Sequence, residues 1–339
     1  MEKKVLNLYP IDYPFESLIA REEAGKLKLN PEFQRKYKWD KENNEKTSKF
    51  IESCLMRIPL PACYFAEDDE KNHMVIDGVQ RITTIKKFFN DEFSLEGLTV
   101  FTDLNGKKFS ELGDLKNDLE NYTIRCIILR NDNKKELIQD IFARLNQGAV
   151  ELTSQEIRHA IYPGSLDKLL SELGKNDLIK DFGIGKDGKR IKDGLEPEEQ
   201  VLRFFAMGSD LTDYENFSKY LDSFMSNNQN IGEDEIEGLR NLFNETLEKC
   251  KLVFDDNVFV DTTKERPKES MVYYDLLMWS FQQYDKDKLF DNKEIIKGYF
   301  IDLCKMDEFQ RTLSGGLQNK GSISKRRRLW MNKLRGIDG

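Results

Sequence analysis

Apolar positions change period abruptly within Met74 to Asn90. Met74, Val75 and Ile76 run together as in a buried strand, and Asp77-Gly78 interrupts them. Ile82, Ile85, Phe88 and Phe89 then fall at helical spacing, so the stretch reads as strand, tight turn, helix. Upstream, a short helix is expected over Phe15–Leu27, with Leu18, Ile19 and Ala24 packing inward. Asp40 reads as the N-cap of a helix over Lys41–Arg57 that buries Phe50, Ile51, Leu55 and Met56 and ends at Pro59 and Pro61. Pro61–Ala66 reads as a strand and Asp68–Asn72 as a turn, with His73 in the loop before the next strand. A hairpin is expected around Leu98–Phe101 with Asn105-Gly106 as its turn. Tyr122–Arg130 is a strongly β-branched strand. Helical spacing resumes from Lys134 through Ile138, Ile141, Phe142 and Leu145, and breaks at Asn146-Gln147-Gly148. Thr153 and Glu156 form a capping-box pattern for the helix that follows.

After Pro163 the strand pattern ceases. Helices are predicted at Leu166–Leu173, Glu196–Met207, Tyr214–Met225, Asp234–Phe254, Lys268–Tyr284, Lys293–Lys305 and Ser324–Leu334. The chain therefore reads as α+β: a mixed N-terminal domain over residues 1–163 and an all-α domain over 164–339.

Composition narrows the chemistry. The 339 residues are 39% hydrophobic and 34% charged, with 22 Phe and 12 Tyr to build cores, and no run has the unbroken apolar length of a membrane helix. The N-terminus lacks a signal-peptide core. The five cysteines are scattered and never form a C-x-x-C pair, which fits buried thiols in a reducing cytoplasm. With only His73 and His159, histidine-dependent zinc, HNH and Ser-His-Asp chemistries are disfavoured. A net charge of −8 argues against a uniformly basic nucleic-acid binder.

Within those limits, the Asp77–Arg81 joint stands out. A strand ending at a helix N-terminus offers free backbone N–H groups and a positive dipole end to an anion. Gly78 would admit a ligand close to the backbone, and Arg81 would add a planar fork of donors matched to phosphate. An Asp-Gly turn into an ordinary amphipathic helix explains the same residues. In NPEFQRKYKWD, Phe33, Tyr37 and Trp39 are interspersed with Gln34, Arg35, Lys36 and Lys38. That segment reads either as an edge strand or as a binding loop. Gly183–Gly194 lacks the spacing of a phosphate loop. Lys325, Arg326, Arg327 and Arg328 cluster near the C-terminus, either as a solvated helix face or as a contact for DNA phosphates.

Three stretches in order carry a resemblance. NPEFQRKYKWD, IDGVQRITTIKKF and FARLNQGAVELTSQEIRHA resemble the three signatures of the bacterial family known as domain of unknown function 262, which has a DGQQR-type central motif. The resemblance implies a ParB/sulfiredoxin-like N-terminal fold and nucleotide binding or hydrolysis. It also implies a role like that of the S portion of GmrSD-type restriction systems in anti-phage defence. Carried over by position, Asp77, Gln80 and Arg81 would be catalytic, with Asp77 holding Mg²⁺. Gln34, Arg35, Gly78, Thr83, Thr84, Arg144, Asn146, Glu156 and Arg158 would hold the nucleoside triphosphate. Val79 stands where the family has its first Gln, which sets binding on firmer ground than turnover. No histidine follows His159, so an HNH-type second domain is lacking. The expected function is a cytoplasmic nucleotide-binding and hydrolysing sensor or regulatory subunit of a restriction system. Its expected partners are DNA, a nuclease or effector protein and further copies of the chain. The alternatives are a nuclease working from the ParB-like domain itself and a non-enzymatic DNA- or protein-binding module.

Overall fold

The computed structural model describes residues 6–29, 44–133, 137–138, 141, 144, 153–183, 194–208 and 211–337. It divides into two compact units, Met1–Leu152 and Thr153–Gly339. The first is mixed α+β and the second is built of helices, the only strand-like pairing among its described residues being an isolated bridge between Val260 and Glu269. No helix among the described residues is long and apolar enough to cross a membrane.

The first unit is organised on a five-stranded sheet of order β1-β5-β3-β4-β2. Its strands are β1 (Leu8–Pro14), β2 (Leu27–Lys28), β3 (Cys63–Glu67), β4 (His73–Asp77) and β5 (Thr123–Leu129). β3 is central: it runs parallel to β5, with Cys63 opposite Cys126, and antiparallel to β4 across a bulge at Tyr64/Phe65. Helices α1 (Phe15–Glu23), α2 (Glu45–Leu55), α3 (Val79–Phe89) and α4 (Leu115–Glu120) cover it. α3 buries Ile82, Ile85 and Phe88, each no more than 3% exposed, as their spacing requires. Phe88 meets the edge of Phe109 with ring centroids 5.8 Å apart.

Several expectations are corrected. α1 stops at Glu23, because Gly25 takes φ +69 and the Lys26 amide closes on the Arg21 carbonyl at 2.9 Å. Ala24 is consequently exposed, and Leu27–Lys28 leaves the helix to pair in parallel with β4. His73 is not a loop residue: it opens β4 and is 4% exposed. Burial, and then Arg21, lowers its pKa from the ordinary histidine value. The hairpin around Leu98–Phe101 does not form. The amides of Thr99, Val100 and Phe101 donate to Glu52 Oε1 at 3.0, 2.7 and 3.0 Å, so they bind a carboxylate instead of a neighbouring strand. The proposed N-cap Asp40 lies outside the described residues; α2 is described from Glu45, after Asn44.

In the second unit the described helices are α5 (Ser154–Ile161), α6 (Ser165–Leu173), α7 (Asp177–Lys180), α8 (Glu196–Met207), α9 (Phe217–Asn227) and α10 (Glu233–Phe254). They continue with α11 (Met271–Phe281), α12 (Lys286–Asp291), α13 (Lys293–Lys305), α14 (Asp307–Gln310) and α15 (Lys320–Leu334). Trp330 of α15 is fully buried, and its indole N–H donates to Ser280 Oγ on α11 at 2.9 Å. Arg203 of α8 pairs with Asp275 of α11.

Glu52 generates a prediction. Burial raises its pKa, but three backbone amides and the Thr99 hydroxyl outweigh that and hold it below the ordinary value. Its stabilising contribution is complete above the unfolded pKa of about 4.3 and is lost as pH falls through the lower folded value. Glu52→Gln is expected to destabilise the first unit by about 2 kcal/mol at neutral pH, with the difference from wild type shrinking on acidification. Thermal melts of both proteins at several pH values check this.

Candidate functional site

The turn between β4 and α3 is shaped by steric exclusion. Gly78 has φ +107, a region closed to side chains, and a Cβ built there would lie 2.3 Å from Cys63 Sγ. Glycine is thus required by the chain's own packing beneath the turn, a reason that differs from close approach of a ligand. α3 begins at Val79 with no side-chain cap, so its first-turn amides lack the usual polar partner from the N-cap residue.

Arg81 does not extend outward as a fork. Its Nη2 donates to Asp77 Oδ2 at 2.7 Å and to the Ala62 carbonyl at 3.3 Å, while Nη1 donates to the Pro61 carbonyl. Its side chain is 14% exposed, against 40% for Asp77. Arg81 therefore fastens the helix to the segment entering β3, and Asp77 is the more accessible charge. Gln80 is half-buried. Thr84 is fully buried and donates to the Gln80 carbonyl at 2.8 Å. Thr83 is buried, and its hydroxyl has no hydrogen-bond partner. Val79, in the place of the family's Gln, is only 9% exposed and packs as an apolar residue.

The other two signatures are placed as follows. Gln34, Arg35 and Asn146 lie outside the described residues, and Arg144 is a helical, exposed residue of the first unit. Glu156 and Arg158 belong to α5 of the second unit. Glu156 completes the expected capping box: its Oε2 accepts from the Thr153 amide at 2.7 Å, and the Thr153 hydroxyl accepts from the Glu156 amide at 3.2 Å. Arg158 is 1% exposed. Its Nε donates to Asp222 at 2.7 Å, Nη1 to Glu199 at 2.9 Å and to Gln155 at 3.2 Å, and Nη2 to Ser218 Oγ at 3.0 Å. With its donors so engaged, Arg158 organises the joint of α5, α8 and α9.

The C-terminal cluster divides in two. Arg326 is 4% exposed and donates to the carbonyls of Thr312 and Leu317, at 3.0 and 2.6 Å. Arg327 donates to the Met207 carbonyl and lies 4.4 Å from the centroid of the Trp279 ring. Only Lys325 and Arg328 keep the character of surface charges, and both reach Glu308. A continuous basic face over Lys325–Arg328 is therefore not what α15 presents: its two middle arginines are drawn into the helical unit. All five cysteines are buried free thiols, as expected.

The partners of these arginines are what sequence pattern missed. The Pro61 and Ala62 carbonyls, Glu199 and Asp222, like Cys63 beneath Gly78, act through contacts distant in sequence, and no local signal marks them.

Residues 15–163 match the family model for the GmrSD restriction endonuclease, N-terminal domain. The matched stretch holds the whole β4–α3 turn. Comparison with curated proteins and with solved structures gives no match. The chain thus contains an α+β region similar to the N-terminal domain of a restriction endonuclease.

Two predictions follow from this geometry. Gly78→Ala is expected to destabilise the protein by about 3 kcal/mol, and Cys63→Ala in the same chain to recover part of the loss by making room for the added methyl. A double-mutant cycle in denaturant measures that coupling. Arg326→Ala is expected to cost about 3 kcal/mol by leaving the buried Thr312 carbonyl and the part-buried Leu317 carbonyl without their donor, whereas Arg328→Ala keeps wild-type stability. Paired thermal melts separate the two.

Proposed function

We propose that the chain is a nucleotide-dependent component of a DNA restriction system, with a nucleoside triphosphate and Mg²⁺ bound at the N-terminus of α3. The single observation that carries this reading is the uncapped start of α3 beside the accessible Asp77 carboxylate, inside the stretch similar to a restriction-endonuclease domain. The ParB/sulfiredoxin-like plan implied by the resemblance belongs to the same proposal.

The residues present fit such a ligand. First-turn amides and the helix dipole favour phosphate oxygens. A single accessible carboxylate suits Mg²⁺, which is commonly held by one or two carboxylates together with substrate phosphates and water. Bound there, the metal would supply charge neutralisation at the phosphates. Asp77 would orient it, and Arg81 would hold Asp77 and the helix start in place through the Pro61 and Ala62 carbonyls. In this reading Arg81 is a positioning residue. Val79 offers no polar group to a water, so binding and switching are better served than rapid turnover. Lys325 and Arg328 are the members of the basic cluster that remain suited to DNA phosphates.

Titration of the full chain with ATP and GTP by calorimetry, with and without Mg²⁺, tests the proposal. Mg²⁺-dependent binding is expected, weakened about tenfold or more by Asp77→Asn, which keeps the side chain's shape and removes its charge. Arg81→Ala is expected to lower affinity and stability together. Absence of binding by the wild type, or equal affinity in Asp77→Asn, would overturn it.

A further inference from the structure

The five cysteines are free thiols, and two of them meet across the sheet. Cys63 on β3 and Cys126 on β5 are register partners on adjacent parallel strands, and both are 0% exposed. Strand spacing sets their Cα atoms about 4.8 Å apart, inside the span of about 4.4–6.8 Å that a disulfide bridges. Cys54, Cys250 and Cys304 lie on three separate helices, α2, α10 and α13.

The two neighbours also differ from the other three in acidity. Hydrogen bonding from Cys126 lowers the pKa of the Cys63 thiol against the opposing effect of burial, and the Arg81 guanidinium adds to the lowering. The same hydrogen bond, and then burial, raises Cys126, which therefore keeps its proton. The Ile124 carbonyl, 3.7 Å from the Cys126 sulfur, is a second acceptor for that proton. Burial pushes Cys54 and Cys304 each up to about 12 and raises Cys250 as well. Cys63 is thus the thiol of the five inclined to ionise, and the thiolate is the form that attacks a peroxide. Beside it stands a protonated thiol that supplies both a proton and a second sulfur.

We propose that Cys63 and Cys126 form a redox site, oxidised to a disulfide by a hydroperoxide and restored by a dithiol. This site stands independently of the nucleotide proposal. In the first step the Cys63 thiolate attacks a peroxide oxygen: an S–O bond forms, the O–O bond breaks, and the departing hydroxide takes up a proton as water. In the second, the Cys126 sulfur displaces the hydroxyl of the Cys63 sulfenic acid, which leaves as water with the Cys126 proton. Two thiols give up two electrons, and one hydrogen peroxide becomes two waters. The β4–α3 turn is the gate. Gly78 lies over Cys63 so closely that an added Cβ would be 2.3 Å from its Sγ, and with both thiols fully buried an oxidant reaches the pair only when the turn lifts. Such a local opening costs less than global unfolding. Closing the disulfide draws the Cys63 sulfur toward β5 and out from under Gly78, next to the Ala62 carbonyl that Arg81 holds.

Treatment of the reduced full chain with hydrogen peroxide, followed by alkylation and peptide mapping with and without dithiothreitol, tests the site. A disulfide joining Cys63 to Cys126 is expected in the folded protein, lowering its mass by two hydrogens and disappearing on reduction. Cys54, Cys250 and Cys304 are expected to react about tenfold more slowly or less. Cys126→Ser keeps a hydroxyl donor beside Cys63 and removes the second sulfur, so its oxidation is expected to stop at the Cys63 sulfenic acid, trapped with dimedone. Cys63→Ser is expected to give neither product. Circular dichroism checks that each variant folds, and the Cys126→Ser trap alone carries the test if Cys63→Ser does not. A Cys63 that stays a thiol in the folded wild type, or a disulfide that forms no faster than the chain unfolds globally, would overturn the assignment.

Discussion

The first unit depends on a contact that leaves no room for a methyl group. β3 brings Cys63 under the point where β4 must turn into α3, and only a glycine at φ +107 lets the chain pass over it. Everything local then follows. The turn aims Asp77 outward, starts α3 without a side-chain cap, and sets Arg81 one helical turn from Asp77, where the two pair. The helix dipole, the accessible carboxylate and the fixed arginine are consequences of one packing constraint in the sheet.

Periodicity revealed the elements whose pattern is long enough to be unambiguous. Glu196–Met207 and Lys293–Lys305 are helices over the bounds their apolar spacing indicates, and the β-branched run at Thr123–Leu129 is a strand. Leu27–Lys28 was not legible, because two residues carry no period and their strand exists only through pairing with β4. The short helices Asp177–Lys180, Lys286–Asp291 and Asp307–Gln310 span too little chain for an apolar stripe. The Leu98–Phe101 segment has strand-like composition, yet a single distant carboxylate takes its amides. At the candidate site, Asp77, Gly78 and Arg81 were visible as a polar interruption between two apolar periods. Their roles were not, since what Arg81 and Gly78 touch lies near residues 61–63.

Arginine shows most clearly how composition misleads about surface charge. Arg158, Arg203 and Arg326 are each no more than 6% exposed and serve as planar connectors between helices. Arg158 and Arg203 face carboxylates; Arg326 faces backbone carbonyls at the approach to α15. Guanidinium suits this use, because its five donors in one plane can satisfy several elements at once and its charge persists under burial. A run of four basic residues in the sequence thus becomes two internal braces and two surface charges.

The Arg81 linkage has a mechanical meaning. One guanidinium joins the last residue of β4, the first turn of α3 and the backbone just before β3. These three pieces cannot be displaced independently while those bonds hold. Any event that draws Asp77 away from Arg81 frees part of the clamp on residues 61 and 62, and any shift of that backbone pulls on the carboxylate in return. The turn is therefore a two-way latch: its ionic half faces solvent, its carbonyl half faces the chain, and a change in either is communicated to the other over the width of a single side chain.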